Sequence, residues 1–192
     1  MNKDNIKIGI LAFHGDIEEH EEAVASLGYS SIRLKYLEDL DSLTHLIFPG
    51  GESTVISKFL KKTGLDKAIQ KRVKEKTLQV YGTCAGAILL ASEVETQYPV
   101  NNLKLIDAKV SRNAYGSQMH SFETELEFKP TNQKFEAVFI RAPKIISHSK
   151  KVQVICEHDQ KPMMLEQDNV LISTFHPELI RPAVIHEYFL SK

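Results

Sequence analysis

Three short segments carry residue types that do chemistry together. Gly82-Thr-Cys-Ala-Gly86 sets a cysteine between two glycines, each two positions away. That spacing is the nucleophile elbow, with cysteine in the place where a different group of hydrolases puts serine. Glycines on both sides allow a strained turn between a strand and a helix. The helix that follows aims free N–H groups and the positive end of its dipole at the sulfur, which favours its anionic form. The backbone N–H of Ala85 is then placed to bind an oxyanion. The other cysteine, Cys156, sits in the apolar run Val152-Gln-Val-Ile-Cys156 and reads as core.

A cysteine nucleophile needs a base, and the base needs an orienting group. Phe175-His176-Pro-Glu178 offers both within three residues at a strand end. Pro177 stiffens the mounting of the imidazole by fixing its own φ and restricting the residue before it. Alone the segment reads as a surface turn; beside a cysteine elbow it becomes the candidate base and orienter. The third segment is Pro49-Gly-Gly-Glu-Ser-Thr54. Its consecutive glycines allow a peptide that turns a second N–H toward an oxyanion, and Ser53 is placed to cap the next helix.

These segments need elements to hold them. Ile6–Phe13, Ser31–Leu37, His45–Phe48 and Leu78–Tyr81 read as strands, with helices over Asp16–Leu27, Ser53 to about Lys62, Leu65–Lys76 and Ala85–Glu93. Such alternation predicts a parallel sheet covered by helices on both faces. All three chemical segments then follow strands, at the end where α/β folds bind ligands. The second half changes rhythm. Strand-like runs at Leu103–Val110, Phe122–Phe128, Ala137–Ile140, Val152–Cys156, Met163–Glu166 and Val170–Phe175 are joined too closely for crossover helices. They predict an antiparallel extension, closed by a helix over Pro182–Leu190. The expected fold is an α/β three-layer sandwich with a mostly parallel central sheet, as one domain over residues 1–192.

Bulk properties exclude several function classes. The 192 residues hold 24 Lys and Arg against 25 Asp and Glu, a formal charge of −1, so no footprint for nucleic acid or an anionic membrane is expected. Composition is globular, with 42% hydrophobic and 26% charged residues. The apolar run Ala87–Ala91 is far short of the ~18–20 residues of a membrane span. The first residues lack the pattern of a signal peptide, so a cytoplasmic location is expected. The histidines show no HExxH or comparable spacing, and neither a metal nor a cofactor is expected. The acids from Asp16 to Glu22 read as a solvated first helical turn, and the basic run from Lys61 to Lys76 as a solvated helical face.

The elbow, the Pro-Gly-Gly-Glu-Ser-Thr segment and the His-Pro-Glu turn together resemble class I glutamine amidotransferases, which have a flavodoxin-like fold. Arg112-Asn-Ala-Tyr-Gly116, Ser121-Phe-Glu123, Phe139-Ile-Arg-Ala-Pro143 and His176-Pro-Glu-Leu179 narrow the resemblance to the glutaminase subunits of pyridoxal 5′-phosphate synthase. It extends from Ile8 to Leu179. The resemblance implies hydrolysis of L-glutamine through a thioester on Cys84, with His176 as acid and base and Glu178 orienting it. It implies an oxyanion hole from the backbone of Gly51 and Ala85, and glutamine contacts at Gly51, Glu52, Ser53, Arg112, Ile140 and Arg141. Ammonia would pass to a synthase subunit within a large hetero-oligomer.

Two positions depart from the family pattern. His14-Gly15 stands where Gln-Gly is usual, near the oxyanion region, and Ser117 stands where arginine is usual. Both bear on coupling to the partner; neither touches Cys84, His176 or Glu178. The alternatives are the glutaminase of another amidotransferase, such as imidazole glycerol phosphate synthase, and a non-catalytic regulatory or chaperone-like protein on the same sheet. The Arg-Asn and Phe-Ile-Arg-Ala-Pro segments speak against the first, and the intact His-x-Glu pair against the second.

Overall fold

The computed structural model describes residues 5–112 and 121–192. Its first half follows the expected alternation: β1 (Ile8–Leu11), α1 (Ile17–Ser26), β2 (Ser31–Leu34), α2 (Leu37–Leu40), β3 (His45–Phe48), α3 (Ser53–Thr63), α4 (Leu65–Lys74), β4 (Gln79–Thr83) and α5 (Ala85–Leu90). The second half holds β5 (Ala91–Glu95), β6 (Ile106–Ser111), β7 (Ser121–Phe128), β8 (Gln133–Ile140), β9 (Lys144–His148), β10 (Gln153–His158), β11 (Lys161–Gln167) and β12 (Val170–Ser173). It ends in a 3-10 turn over Pro177–Leu179 and α6 (Val184–Leu190).

Seven strands form the central sheet in the order β10-β11-β12-β4-β3-β1-β2. Strands β12, β4, β3, β1 and β2 run parallel to their neighbours, while β11 is antiparallel to β12 and to β10. The parallel part repeats the 2-1-3-4-5 order of doubly wound flavodoxin-like sheets. Side chains of one strand alternate between two cores. Leu46 and Phe48 join Val80 and Ile172 beneath Ile56, Leu60, Ile69 and Leu89 from α3, α4 and α5. Ile47 joins Ile8, Ile10 and Leu171 against Val24, Ile185 and Phe189 from α1 and α6. Period-2 side-chain direction thus makes the three layers. Among the described residues, no helix is long and apolar enough to cross a membrane.

Several boundaries differ from expectation. The helix after the elbow stops at Leu90, because Ala91 turns to extended backbone (ψ 149°) and opens β5, which pairs in parallel with β6. The residues from Leu103 to Leu105 precede β6 rather than belong to it. Strand β9 and the single-turn helix α2 were not anticipated, and the strand expected to reach Leu37 ends at Leu34. Ser53 does not cap α3: Glu52 is the cap residue, without a side-chain cap bond, and Ser53 is buried.

Candidate active site

Four adjacent parallel strands, β1, β3, β4 and β12, send the loops after their carboxyl ends to one place. Cys84 follows β4 directly and bears the strain of the turn itself, with φ 47° and ψ −102°. Its N–H donates to the carbonyl of Ser173 at 2.9 Å, pinning the elbow to β12. The flanking glycines serve close packing. A Cβ on Gly82 would lie 2.6 Å from the carbonyl carbon of Gly86, and one on Gly86 would lie 2.3 Å from the carbonyl oxygen of Phe48. Both are well inside contact distance, so α5 sits against β3 and β4 only because neither carries a side chain. Cys84 is 8% exposed, and its sulfur lies 3.9 Å from the carbonyl oxygen of Ile140.

His176 stands just beyond β12, and its N–H donates to the carbonyl of Val138 in β8 at 2.9 Å. The β7–β8 hairpin thereby braces the loop that carries it. The imidazole Nδ1 is 2.6 Å from Oε1 of Glu178, which is fully buried, and 3.3 Å from Oδ2 of Asp16. Burial alone drives a proton off His176. The neighbouring Asp16, Cys84 and Glu178 outweigh it and raise the imidazole from its ordinary 6.5 to about 12. Asp16 is held below the usual carboxylate range, by its bond to His176 above all. Burial pushes Glu178 upward, against the pull of the His176 proton. Asp16, His176 and Glu178 bring potential ligand atoms within 4.8 Å of one another. The proton shared between Nδ1 and Oε1 lies where a cation would have to bind, so the grouping reads as an acid–base cluster.

The loop after β3 supplies the facing wall. Gly51 has φ 137°, a conformation that disfavours a side chain. A Cβ on Gly15 would fall 1.6 Å from the carbonyl oxygen of Gly50, so the two loops are in backbone contact. The Nδ1 of His14 accepts the N–H of Glu52 at 3.2 Å. His14, the departure noted above, thus ties the β1 loop to the candidate oxyanion loop. Arg112, at the end of β6, forms an ion pair with Glu52 and lies 5.5 Å over the ring of Tyr98. Asn113 to Gly116 and Ser117 lie outside the described residues.

A cavity of about 460 Å³ joins these pieces. Its wall includes Cys84, Ala85, His176, Gly51, Glu52 and Ser53, and on the far side Arg112, Ile140 and Arg141. His14 and Asp16 complete it, while Glu178 stands behind His176 without reaching the surface. Every candidate site residue therefore gathers in one place. Among the described residues, three buried polar atoms of this wall have no hydrogen-bond partner: Ser53 Oγ, Arg112 Nη1 and His176 Nε2. A more open hollow of about 520 Å³, bordered by Glu93, Tyr98, Asn102 and Lys104, contains neither cysteine nor histidine.

Two site residues were passed over in the sequence. Asp16 and His20 sit in an acid-rich helix start that reads as solvent-facing, yet Asp16 reaches His176 and His20 is fully buried behind Glu178. The available signal was position: Asp16 lies two residues beyond His14 at a parallel strand's carboxyl end, and His20 falls one helical turn further on.

The model of the SNO glutamine amidotransferase family matches residues 10–192. The chain is 44% identical over 183 residues to the pyridoxal 5′-phosphate synthase subunit PdxT of Fervidobacterium nodosum, covering 95% of each chain. It is 42% identical over 186 residues to the subunit of the same name from Thermosipho africanus, covering 97% of this chain and 98% of that one. A crystal structure of a glutamine amidotransferase superposes with a TM-score of 0.92 at 41% identity, over 96% of this chain and 97% of that one. A Thermotoga maritima glutamine amidotransferase, 14% identical, shares the fold with a TM-score of 0.64 over 91% of this chain and 76% of its own.

Proposed function

We propose, from the premise that the chain belongs to the SNO glutamine amidotransferase family, that it hydrolyses L-glutamine to L-glutamate and ammonia and supplies the ammonia to a pyridoxal 5′-phosphate synthase subunit. The observation that carries the chemistry is the set of buried polar atoms without partners among the described residues, Ser53 Oγ, Arg112 Nη1 and His176 Nε2, around the cavity that holds Cys84. Buried polar groups are costly unless bonded, and a zwitterionic amino acid with a side-chain amide supplies what these atoms lack. Arg112 takes the α-carboxylate and its partner Glu52 takes the α-ammonium. Gly51, Ser53, Ile140 and Arg141 position the side chain so that its amide carbon meets the sulfur.

Cys84 Sγ attacks that carbon, and the C=O electron pair moves to oxygen. The N–H groups of Gly51 and Ala85 stabilise the oxyanion; Ala85 begins α5, so its N–H has no partner within the helix. His176, held as an imidazolium by Glu178 and Asp16, gives its Nε2 proton to the departing nitrogen, and ammonia leaves as the thioester forms. Neutral His176 then removes a proton from water, which attacks the thioester and releases glutamate and the Cys84 sulfur. The two free cysteines, Cys84 and Cys156, suit a reducing compartment such as the cytoplasm. Docking to the synthase, in a large hetero-oligomer, sets the rate.

The test is glutamate release from glutamine by the chain alone and with a pyridoxal 5′-phosphate synthase subunit added. Strong stimulation by the partner is the expected result. Activity that ignores the partner would keep the chemistry and remove the pathway; no activity in either case would remove both.

A further inference from the structure

Behind Glu178 lies a second group of buried titratable side chains that the mechanism above does not use. His20 of α1 and His186 of α6 are both fully buried, 166 positions apart in sequence, with His20 Nδ1 2.9 Å from His186 Nε2. The other nitrogen of His20, Nε2, lies 3.3 Å from the hydroxyl of Thr83 and 3.4 Å from Oε2 of Glu178. Thr83 immediately precedes Cys84. A continuous line of side chains therefore runs from α6 through α1 to Glu178, His176 and the cavity.

Proton bookkeeping fixes the direction of this line. Burial holds His20 well below its ordinary 6.5, with His186 and His176 adding to the effect, and holds His186 down to about 3. Both rings are thus neutral at pH 7, each with one N–H and one bare nitrogen. In one arrangement His20 carries its hydrogen on Nδ1. Its bare Nε2 then faces the Glu178 carboxylate, and His186 must bury an N–H at Nδ1, an atom with no partner among the described residues. In the other, His186 Nε2–H donates to His20 Nδ1, and His20 Nε2–H points at Thr83 Oγ1 and Glu178 Oε2. That second arrangement leaves only a bare ring nitrogen without a partner. It also brings a donor within 3.4 Å of Oε2, an atom that makes no hydrogen bond among the described residues. A buried anion facing an N–H rather than a lone pair decides between them.

We propose that His20, backed by His186, is a positioning residue for glutamine hydrolysis: its Nε2–H steadies the buried carboxylate of Glu178, which in turn fixes the His176 tautomer that leaves Nε2 toward Cys84. The inference rests on the triad assigned under the proposed function. It extends that triad inward, since neither His20 nor His186 reaches the cavity. Other groups face the same carboxylate or the rings behind it. Asp16 and His176 border it on the cavity side, and Thr83 and Tyr81 come from β4. Arg181 is near His186 and donates Nη1 to the backbone carbonyl of Glu178 at 2.7 Å, so its charge serves the turn and not Oε2.

The experiment has two readouts. Long-range ¹⁵N spectra of the histidine rings in the unmodified chain report the tautomers directly, and an Nε2–H tautomer for His20, neutral at pH 6, is expected. Alkylation of Cys84 by iodoacetamide and kcat/KM for glutamine with the synthase subunit are then followed against pH in His20→Met and His20→Gln. Methionine fills the space without a donor; glutamine returns an amide N–H at similar reach. Loss of the donor makes the Glu178 carboxylate easier to protonate, so His20→Met moves the acidic limb of both profiles upward by about one pH unit. It lowers kcat with KM for glutamine unchanged, and His20→Gln restores the limb. An Nδ1–H tautomer, or a uniform loss of activity in His20→Met with the limb in place, overturns the proposal. Should the methionine variant fail to fold, the tautomer spectra of the unmodified chain still decide. Absence of glutamine turnover in the unmodified complex would remove the assigned function, whereas the spectra and the alkylation profile read the His20 contact by themselves.

Discussion

At the scale of single residues, the site depends on groups held where they would not settle alone. Cys84 keeps a positive φ because its N–H is tied to Ser173 and because Gly82 and Gly86 clear the space around it. Cys84→Ala should abolish glutamate release in the presence of the synthase subunit while the circular dichroism of the fold stays unchanged; retained turnover would remove the thioester route. His176→Asn should lower kcat by about 10⁶, the scale seen when a triad's histidine is removed. His14 acts at one remove. Its Nδ1 accepts the Glu52 N–H, so His14→Ala frees the loop beside Gly51 and should lower kcat/KM about fivefold, the worth of one hydrogen bond. His14→Gln, which keeps an acceptor within reach, should recover most of that loss. The grouping of Cys84, His176 and Glu178 was legible in the sequence because elbow and His-x-Glu geometry confine their residues to a few neighbouring positions. Asp16 and His20 were not, because the acids around them satisfy a helix N-terminus equally well. Their partners stand just beyond β12 and on α6, far away in sequence.

At the scale of elements, the parallel half of the sheet could be read from alternating apolar runs and helical patterns, since β1 and β3 are buried on both faces. The later strands are harder. The residues of β5 follow the apolar run of α5 without a break, and only the alternating exposure of Glu93 and Glu95 marks the change of period. Strand β9 has a single well-buried residue, Ile145, and its place is set by pairing with β6 rather than by its own pattern. Packing between elements gives a sharper prediction. Gly86→Ala would put a methyl 2.3 Å from the Phe48 carbonyl oxygen, where backbone must move. A loss of about 3 kcal/mol in urea unfolding is expected, the upper end of overpacking penalties, together with loss of activity as α5 and Ala85 shift. Gly64→Ala is the control. Its Cβ meets only Leu37 Cδ1 at 3.7 Å, so its cost is that of a left-handed alanine, about 1 kcal/mol, with activity retained.

At the scale of the whole molecule, the buried histidines set how stability varies with pH. His20, His45 and His186 are buried, and each is harder to protonate than in the unfolded chain: His45 falls to about 4, His186 to about 3 and His20 well below 6.5. As pH drops below 6.5 the unfolded chain takes up protons that the folded chain refuses, so stability falls on the acid side. Each histidine contributes up to about 1.4 kcal/mol per pH unit. His176 works in the opposite direction. Its pKa is raised to about 12, so its contribution is complete below 6.5 and is lost progressively as pH climbs toward 12. The two trends meet near pH 6.5, and urea midpoints measured at pH 5, 6.5 and 9 should peak at the middle value. A midpoint that stays level from pH 5 to 6.5 would mean that the three rings are protonated in the folded chain. His45 isolates the effect from the Asp16–His176–Glu178 cluster, because its ring packs edge-on against Phe189 at 5.2 Å and, among the described residues, hydrogen-bonds only to its neighbour Thr44. His45→Phe should flatten the acid slope by one histidine's share while leaving glutamine hydrolysis unchanged.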